Sequence, residues 1–296
     1  MSTIITGGYG SRVTFSGMDI LCSSFSASIK PVLIRSSAMY GGKKESAVGT
    51  PHGHDYREAS LSLNFPVTRK ILSAVLKKFN DRTYPFRVVC LMPGDKNGIT
   101  FTRCIFESLT LSCSRDSLVE ASCSLFTTAD QLDSSAVGGM SSDNGDPSLV
   151  EYTMDWSKPS NNTNVIPYWM TRLKCSKHDY NALSWSFTVS QEVVKKSYCS
   201  GLSANTDMPP YPDRIFVGPM GVAGDVEYFV GNASTKYTTF NMDGGLNERM
   251  SLYIGETRFA EFGKVHVTSQ APTVDASLPY SVSCSFEAYS IVSLGD

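Results

Sequence analysis

A chain of 296 residues can hold two domains of ordinary size, and only 18% of it is charged. Ser, Thr, Gly and Asn make up the deficit, which disfavours long charged helices and favours strands and turns. The formal net charge is −2, with 15 Lys+Arg against 13 Asp+Glu in the first 150 residues and 11 against 15 in the rest; neither half has the basic excess of a phosphate-gripping protein, and a near-neutral surface suits self-association.

In chain order, Met1-Ser2-Thr3-Ile4-Ile5-Thr6 lacks the basic region and apolar core of a secretory signal. No stretch reaches the roughly 20 apolar residues that cross a bilayer, so a soluble chain made in a cytosol is expected, with no membrane partner. Residues 1–10 are Gly-rich and read as an arm. Arg12 to Phe15 and Asp19 to Lys30 read as strands, whereas residues 41–57 have no period and predict a long loop, functional or ordered by a partner. Glu58 to Asn64 alternates, with Ala59, Leu61 and Leu63 on one face. A helix is predicted from Pro66 to Phe79, with Pro66 in its first turn. Val67, Ile71, Leu72, Val75, Leu76 and Phe79 fall on one side of it, and Arg69, Lys70 and Lys77 on the other.

Phe86 to Met92 is an apolar strand closed by the turn Pro93 to Gly98. Ile99 to Cys113 and Leu118 to Phe126 form a hairpin across Ser114 to Ser117. Asp130 to Pro147 reads as a connection between domains, Leu149 to Met154 as an extra strand, and Pro159 to Asn164 as a turn. Residues 207–249, with Pro209-Pro210, Pro212 and Gly218-Pro219, carry no helix as clear as the first.

Two stretches share one pattern. Val119, Ala121, Cys123 and Leu125 alternate with Glu120, Ser122 and Ser124; Tyr280, Val282, Cys284 and Phe286 alternate with Ser281, Ser283 and Ser285. Further correspondences keep the same order: Ser24-Phe25-Ser26-Ala27-Ser28 with Ser186-Phe187-Thr188-Val189-Ser190, 162 positions on; Tyr40-Gly41 with Tyr198-Cys199, 158 on; and Phe106 with Phe262, 156 on. Cys123 and Cys284 lie 161 apart. The pattern predicts one domain written twice: residues 1–130, a linker over 131–150, and residues 151–296.

Chemistry-bearing clusters are few. His52-Gly53-His54-Asp55 is the one group with metal-capable spacing, and its competing reading is a polar loop tip. Cys175 and His178 are the nearest approach to a nucleophile and base, three apart in an extended segment where such residues point apart. Gly7-Gly8-Tyr9-Gly10 and Gly218-Pro219-Met220-Gly221 read as turns, not phosphate cradles. Trp156, Trp169 and Trp185 could form a sugar-stacking platform or belong to core and interface. The eight cysteines include no C-x-x-C pair, and Cys22, Cys90, Cys123 and Cys284 read as small buried thiols kept reduced. No catalytic, cofactor-binding or metal site is assigned, and the chain is not expected to be an enzyme.

A strand-rich duplicated chain of this kind, with halves of about 130 residues, a Gly-rich arm, a long early loop and a closing alternating strand, resembles a bacteriophage tail tube protein in its two-domain form. The resemblance implies a mainly β fold: two tandem β-sandwich or half-barrel domains, each with at most one short flanking helix. It implies rings of three chains with pseudo-sixfold symmetry, stacked into a tube, in which neighbours pair each other's open sheet edges. It also implies a virion tail assembled in the host bacterial cytoplasm, a tape-measure protein and genomic DNA in the lumen, and possible sheath, baseplate and terminator partners. Two other readings stay open: a tube-baseplate adaptor or distal tail protein forming a single ring, and a carbohydrate-binding β-sandwich.

Overall fold

Among the described residues, the alternating sequences form fourteen strands and one α-helix. In chain order these are β1 (Arg12–Phe15), β2 (Met18–Ile20), β3 (Ser24–Arg35), β4 (Pro51–Pro66), α1 (Arg69–Asp81), β5 (Phe86–Leu91), β6 (Gly98–Ser114) and β7 (Glu120–Thr128). There follow β8 (Thr171–Cys175), β9 (His178–Tyr180), β10 (Ala182–Lys196), β11 (Arg214–Phe229), β12 (Glu248–Ile254), β13 (Thr257–Thr273) and β14 (Ser281–Leu294). The computed structural model describes residues 12–15, 18–35, 51–81, 86–91, 98–128, 154–158, 161–175, 178–180, 182–196, 214–229, 248–273 and 280–294. The fold is mainly β, of the β-sandwich or half-barrel class, and every strand pairing is antiparallel.

The pairing order is written twice. The first repeat runs β2-β1-β5-β6-β7-β4-β3 and the second β9-β8-β12-β13-β14-β11-β10. Their β-bulges match as well. The β6–β7 ladder shifts register between Phe106 and Ser108, and the β13–β14 ladder between Val267 and Ser269, 161 positions on. A bulge re-aims a strand locally, so a shared one anchors the alignment of two repeats. Carried across the ladders, it places Cys123 on Cys284, as the alternation implies. It corrects two other correspondences: Phe106 matches Val267 instead of Phe262, and Phe25 matches Trp185 instead of Phe187. The Tyr40 and Tyr198 pair, residues 1–10 and the 131–150 connection lie outside the described residues.

Along the predicted hairpin, Val119, Ala121, Cys123 and Leu125 are buried, while Glu120 and Ser122 are exposed. In β14, Val282, Cys284 and Phe286 are buried as expected, but so is Ser281, whose hydroxyl donates to Glu227 Oε1 at 3.2 Å. A satisfied hydroxyl tolerates burial, which hydropathy alone does not anticipate.

The helix begins after its predicted start. Pro66 ends β4 instead of opening α1, because it still stands opposite Glu120 of β7 and the next residue, Val67, donates its N–H to Val119 O at 3.0 Å, carrying the pairing past it. Thr68 caps the helix, its Oγ1 accepting from Ile71 N at 3.3 Å. Ile71, Leu72, Val75, Leu76 and Phe79 are buried, with Phe79 against Phe106 at a ring-centroid distance of 5.1 Å. Thr68→Ala is expected to lower stability by roughly 1 kcal/mol, the usual worth of such a cap, read from the midpoint of urea unfolding.

Two loop readings give way to strands, and one strand reading is interrupted. Residues 51–57 belong to β4 and pair with β3, and the rest of the predicted loop, residues 41–50, lies outside the described residues. Gly218 and Pro219 lie in β11 at a bulge opposite Glu192, where a proline without an N–H costs no regular ladder bond. The predicted strand from Asp19 to Lys30 is broken at Leu21 to Ser23, between β2 and β3. No helix among the described residues is long and apolar enough to cross a membrane.

Candidate functional site

The largest feature with a chemical character is one face of the sheet. Antiparallel register aligns residues of like phase into rows across the strands. One row reads Ser26, Ser62, Ser124, Ser108, Ser190, Gly221. The next reads Ser24, Asn64, Ser122, Thr110, Thr188, Ala223, Glu287, His266. A third reads Glu120, Ser112, Ser186, Asp225, Ser285, Ser269, and a fourth Ser114, Ser184, Glu227, Ser283, Ala271. The face runs without a break from β3 in the first repeat to β13 in the second, across the β6–β10 seam.

On the opposite face the same register stacks apolar residues. Phe25, Leu63, Cys123, Leu109, Val189, Val222, Ala288 and Val265 form one such row. All but Phe25, which is half-buried, belong to the buried core. Period-two alternation therefore gives one chain a dry side and a side made of short hydroxyls.

The polar face is tied down by its own hydrogen bonds. Thr110 and Thr188 hydroxyls meet at 2.8 Å across the seam, and Asn64 Nδ2 donates to Ser24 Oγ at 2.7 Å. Ser285 Oγ donates to Asp225 Oδ1 at 2.7 Å, and Ser184 and Ser281 hydroxyls both donate to Glu227. Ser112, Ser114, Glu120, Ser184, Ser186 and Asp225 line a shallow concavity of about 320 Å³. The four rows hold four carboxylates (Glu120, Asp225, Glu227 and Glu287), one imidazole, and no Lys or Arg. Such a surface binds water well and repels polyanions.

Comparison with protein-family models gave no match, and comparison with curated proteins gave none. The function must therefore be argued from the residues themselves.

The sequence-predicted clusters fare differently. His52, Gly53, His54 and Asp55 lie in β4, with His54 paired to Leu33 and Gly53 to Ile34, and their side chains fall outside the described set. Among the described residues no group of three or more His, Cys, Asp or Glu could hold a metal ion. Cys175 and His178 are backbone partners in the β8–β9 ladder, a pairing their spacing in the sequence does not suggest; Cys175 itself is buried. The three-tryptophan platform does not form. Trp185 is in the core, stacked on Phe187 at 5.9 Å, with Nε1 donating to Thr171 Oγ1 at 3.1 Å. Trp156 and Trp169 remain exposed and meet edge to face at 6.3 Å.

The polar face itself could be foreseen only in part. The serines of β3, β4, β7 and β14 are legible as alternation, but Asp225 and Glu227 sit in a segment whose prolines and glycines read as loop. The signal was nonetheless there, in Val222, Val226 and Tyr228 alternating with Ala223, Asp225 and Glu227.

Proposed function

We propose that the chain is a structural subunit of a bacteriophage tail tube, assembling as rings of three chains stacked into a conduit, with the serine-rich face lining the channel. The observation that carries this reading is the unbroken polar face across both repeats, with four carboxylates and no Lys or Arg in its rows. A conduit for DNA must hold water and must not grip phosphates, since each phosphate neutralised by Lys or Arg adds affinity that slows passage. Small hydroxyls tied to carboxylates meet both demands. In this reading a tape-measure protein and then genomic DNA occupy the lumen, and sheath, baseplate and terminator proteins are the outer and end partners. The subunit acts in the virion tail after assembly in the host bacterial cytoplasm. It works by shape and charge and catalyses nothing.

Electron microscopy of the purified full chain tests the reading. Tubes of stacked rings are the expected result. Single closed rings that never stack would instead favour an adaptor or distal tail protein. A second reading, a carbohydrate-binding β-sandwich, draws on the exposed Trp156 and Trp169 pair. A chain that stays monomeric at every concentration and is retained on immobilised glycans would replace the tube with that reading.

A further inference from the structure

Among the described residues the named strands of the two repeats pair along one seam, β6 against β10, running from Ser108 opposite Ser190 to Ser114 opposite Ser184, beside the isolated bridges Thr68–Val165 and Leu118–Pro167. We propose that copies of this chain join by repeating that seam, with β3 of one copy pairing antiparallel to the outer edge of β13 in the next. The proposal deepens the tube-subunit reading and rests on it in requiring that copies of this chain meet.

Two edges of the sheet are equivalent to the two strands of this seam. In the first repeat β6 is bordered by β7 on one side; on the other, β5 covers its first half and β10 its second. Its counterpart β13 has β14 on one side and β12 along Thr257 to Val265 on the other. Beyond that point, Ser269 to Thr273 pair with β14 alone among the described residues. The counterpart of β10 is β3, which pairs with β4 alone among the described residues. Among the described residues the chain thus contains the joint once, and both halves of a second joint stand open at opposite ends of its sheet. The burial pattern agrees. Phe187 and Leu111 are buried within the seam, whereas Ala27 and Pro272 at the matching free positions are exposed.

The matched bulges set the register. Ser108 corresponds to Ser269, and Ser190, through the ladders that link β10 to β14, corresponds to Lys30. Ser269 of one copy then stands opposite Lys30 of the next, Ala271 opposite Ser28, and Thr273 opposite Ser26. All of these positions carry the phase of the polar rows, so the polar face continues from copy to copy, and Lys30 is the one cation the joint brings into line with those rows. A head-to-tail contact of this kind is heterologous and closes into a ring or runs on as a helix, according to its rotation.

The copy-to-copy joint is weaker than the built-in one. Pro272 stands where the internal seam has Leu111, and the β13–β14 ladder runs through it without a register shift, so its missing N–H faces the free edge. Pro31 of β3 lies beside the opposite edge. Prolines on free edges blunt indiscriminate pairing while leaving the specified register available.

Disulfide trapping tests the pairing. Ala271→Cys protein is mixed with Ser28→Cys protein at an assembling concentration under mild oxidation, so that the designed bond can form only between copies. Directly opposed residues fall within disulfide reach, and residues displaced by four positions do not. The expected result is a reducible species of twice the chain mass, on the order of tenfold above that from Ala271→Cys mixed with Ser24→Cys. Cys104, Cys113, Cys123 and Cys284 are buried and contribute little background, which the wild-type chain measures. Rings or tubes without this cross-link, or with equal cross-linking in the displaced pair, would overturn the seam and leave the tube reading standing. A wild-type chain that never associates would overturn both.

Discussion

Gly224→Ala is expected to destabilise the folded chain by about 3 kcal/mol or more, at the upper end of what overpacking a core costs. Gly224 lies on the dry face of β11, directly between Phe187 of β10 and Phe286 of β14. A Cβ there would sit 2.3 Å from the carbonyl oxygen of Ser186 and 2.7 Å from Cζ of Phe286. The ring could turn aside only into neighbouring core residues, and the carbonyl could move only by breaking the sheet. Gly221→Ala is the control. It adds the same methyl to the same strand, but its nearest neighbour is Ser190 Oγ at 3.7 Å, so a change within about 0.5 kcal/mol is expected. Urea midpoints with an unchanged denaturant slope would measure both. Equal midpoints for the two variants would refute the packing argument.

Gly224 also shows why the duplication was harder to read in detail than in outline. By the matched bulges, the second-repeat row Phe187, Gly224, Phe286 corresponds to Ala27, Leu61, Leu125 in the first. Each row fills similar space, but the small residue moves from the second position, Gly224, to the first, Ala27. Close-packed interiors constrain the summed volume of a row more than the identity at each position. Matching Phe25 to Phe187 by residue type therefore slips the register by two, which keeps the face and hides the error. Cys123 and Cys284 remain matched because each sits alone at a small position with serines on either side.

The fold class and the best helix were legible because composition and period act locally. The metal-capable and nucleophile-like spacings were poor guides because the tertiary pairing was hidden. His54 is held in a ladder with Leu33, and Cys175 stands opposite His178 in the β8–β9 ladder. The polar face required knowledge of which strands are neighbours. Ser186 and Asp225 lie 39 positions apart in sequence and next to each other in the sheet.

Above about pH 9 the chain is expected to lose stability steeply, and the buried thiols are expected to set much of the slope. Burial pushes Cys104 up to about 12, its hydrogen bonds to Thr127 and Val88 offsetting only part of the shift. Burial moves Cys123 further in the same direction. Burial also raises Cys113 to about 11 and Cys284 to about 12. An unfolded chain ionises its thiols at the ordinary value of 9.0, while the folded chain still holds those protons. The stabilisation is therefore complete below pH 9 and is lost as pH rises toward the folded-state values. Cys104 and Cys123 each contribute up to about 1.4 kcal/mol per pH unit within that window. Cys113 and Cys284 add in the same sense but less, since water reaches them more readily. Tyr228, raised to about 12 by its own burial, acts in the same direction. Urea midpoints at pH 8, 9.5 and 10.5 would trace the loss. A Cys104→Ala/Cys123→Ala chain should start lower, through lost packing, yet fall less steeply. It is the slope that separates thiol ionisation from a cavity, because a cavity costs the same at every pH. An unchanged slope would mean that these thiols ionise in the fold as freely as in the open chain, which their place on the dry side of the sheet does not permit.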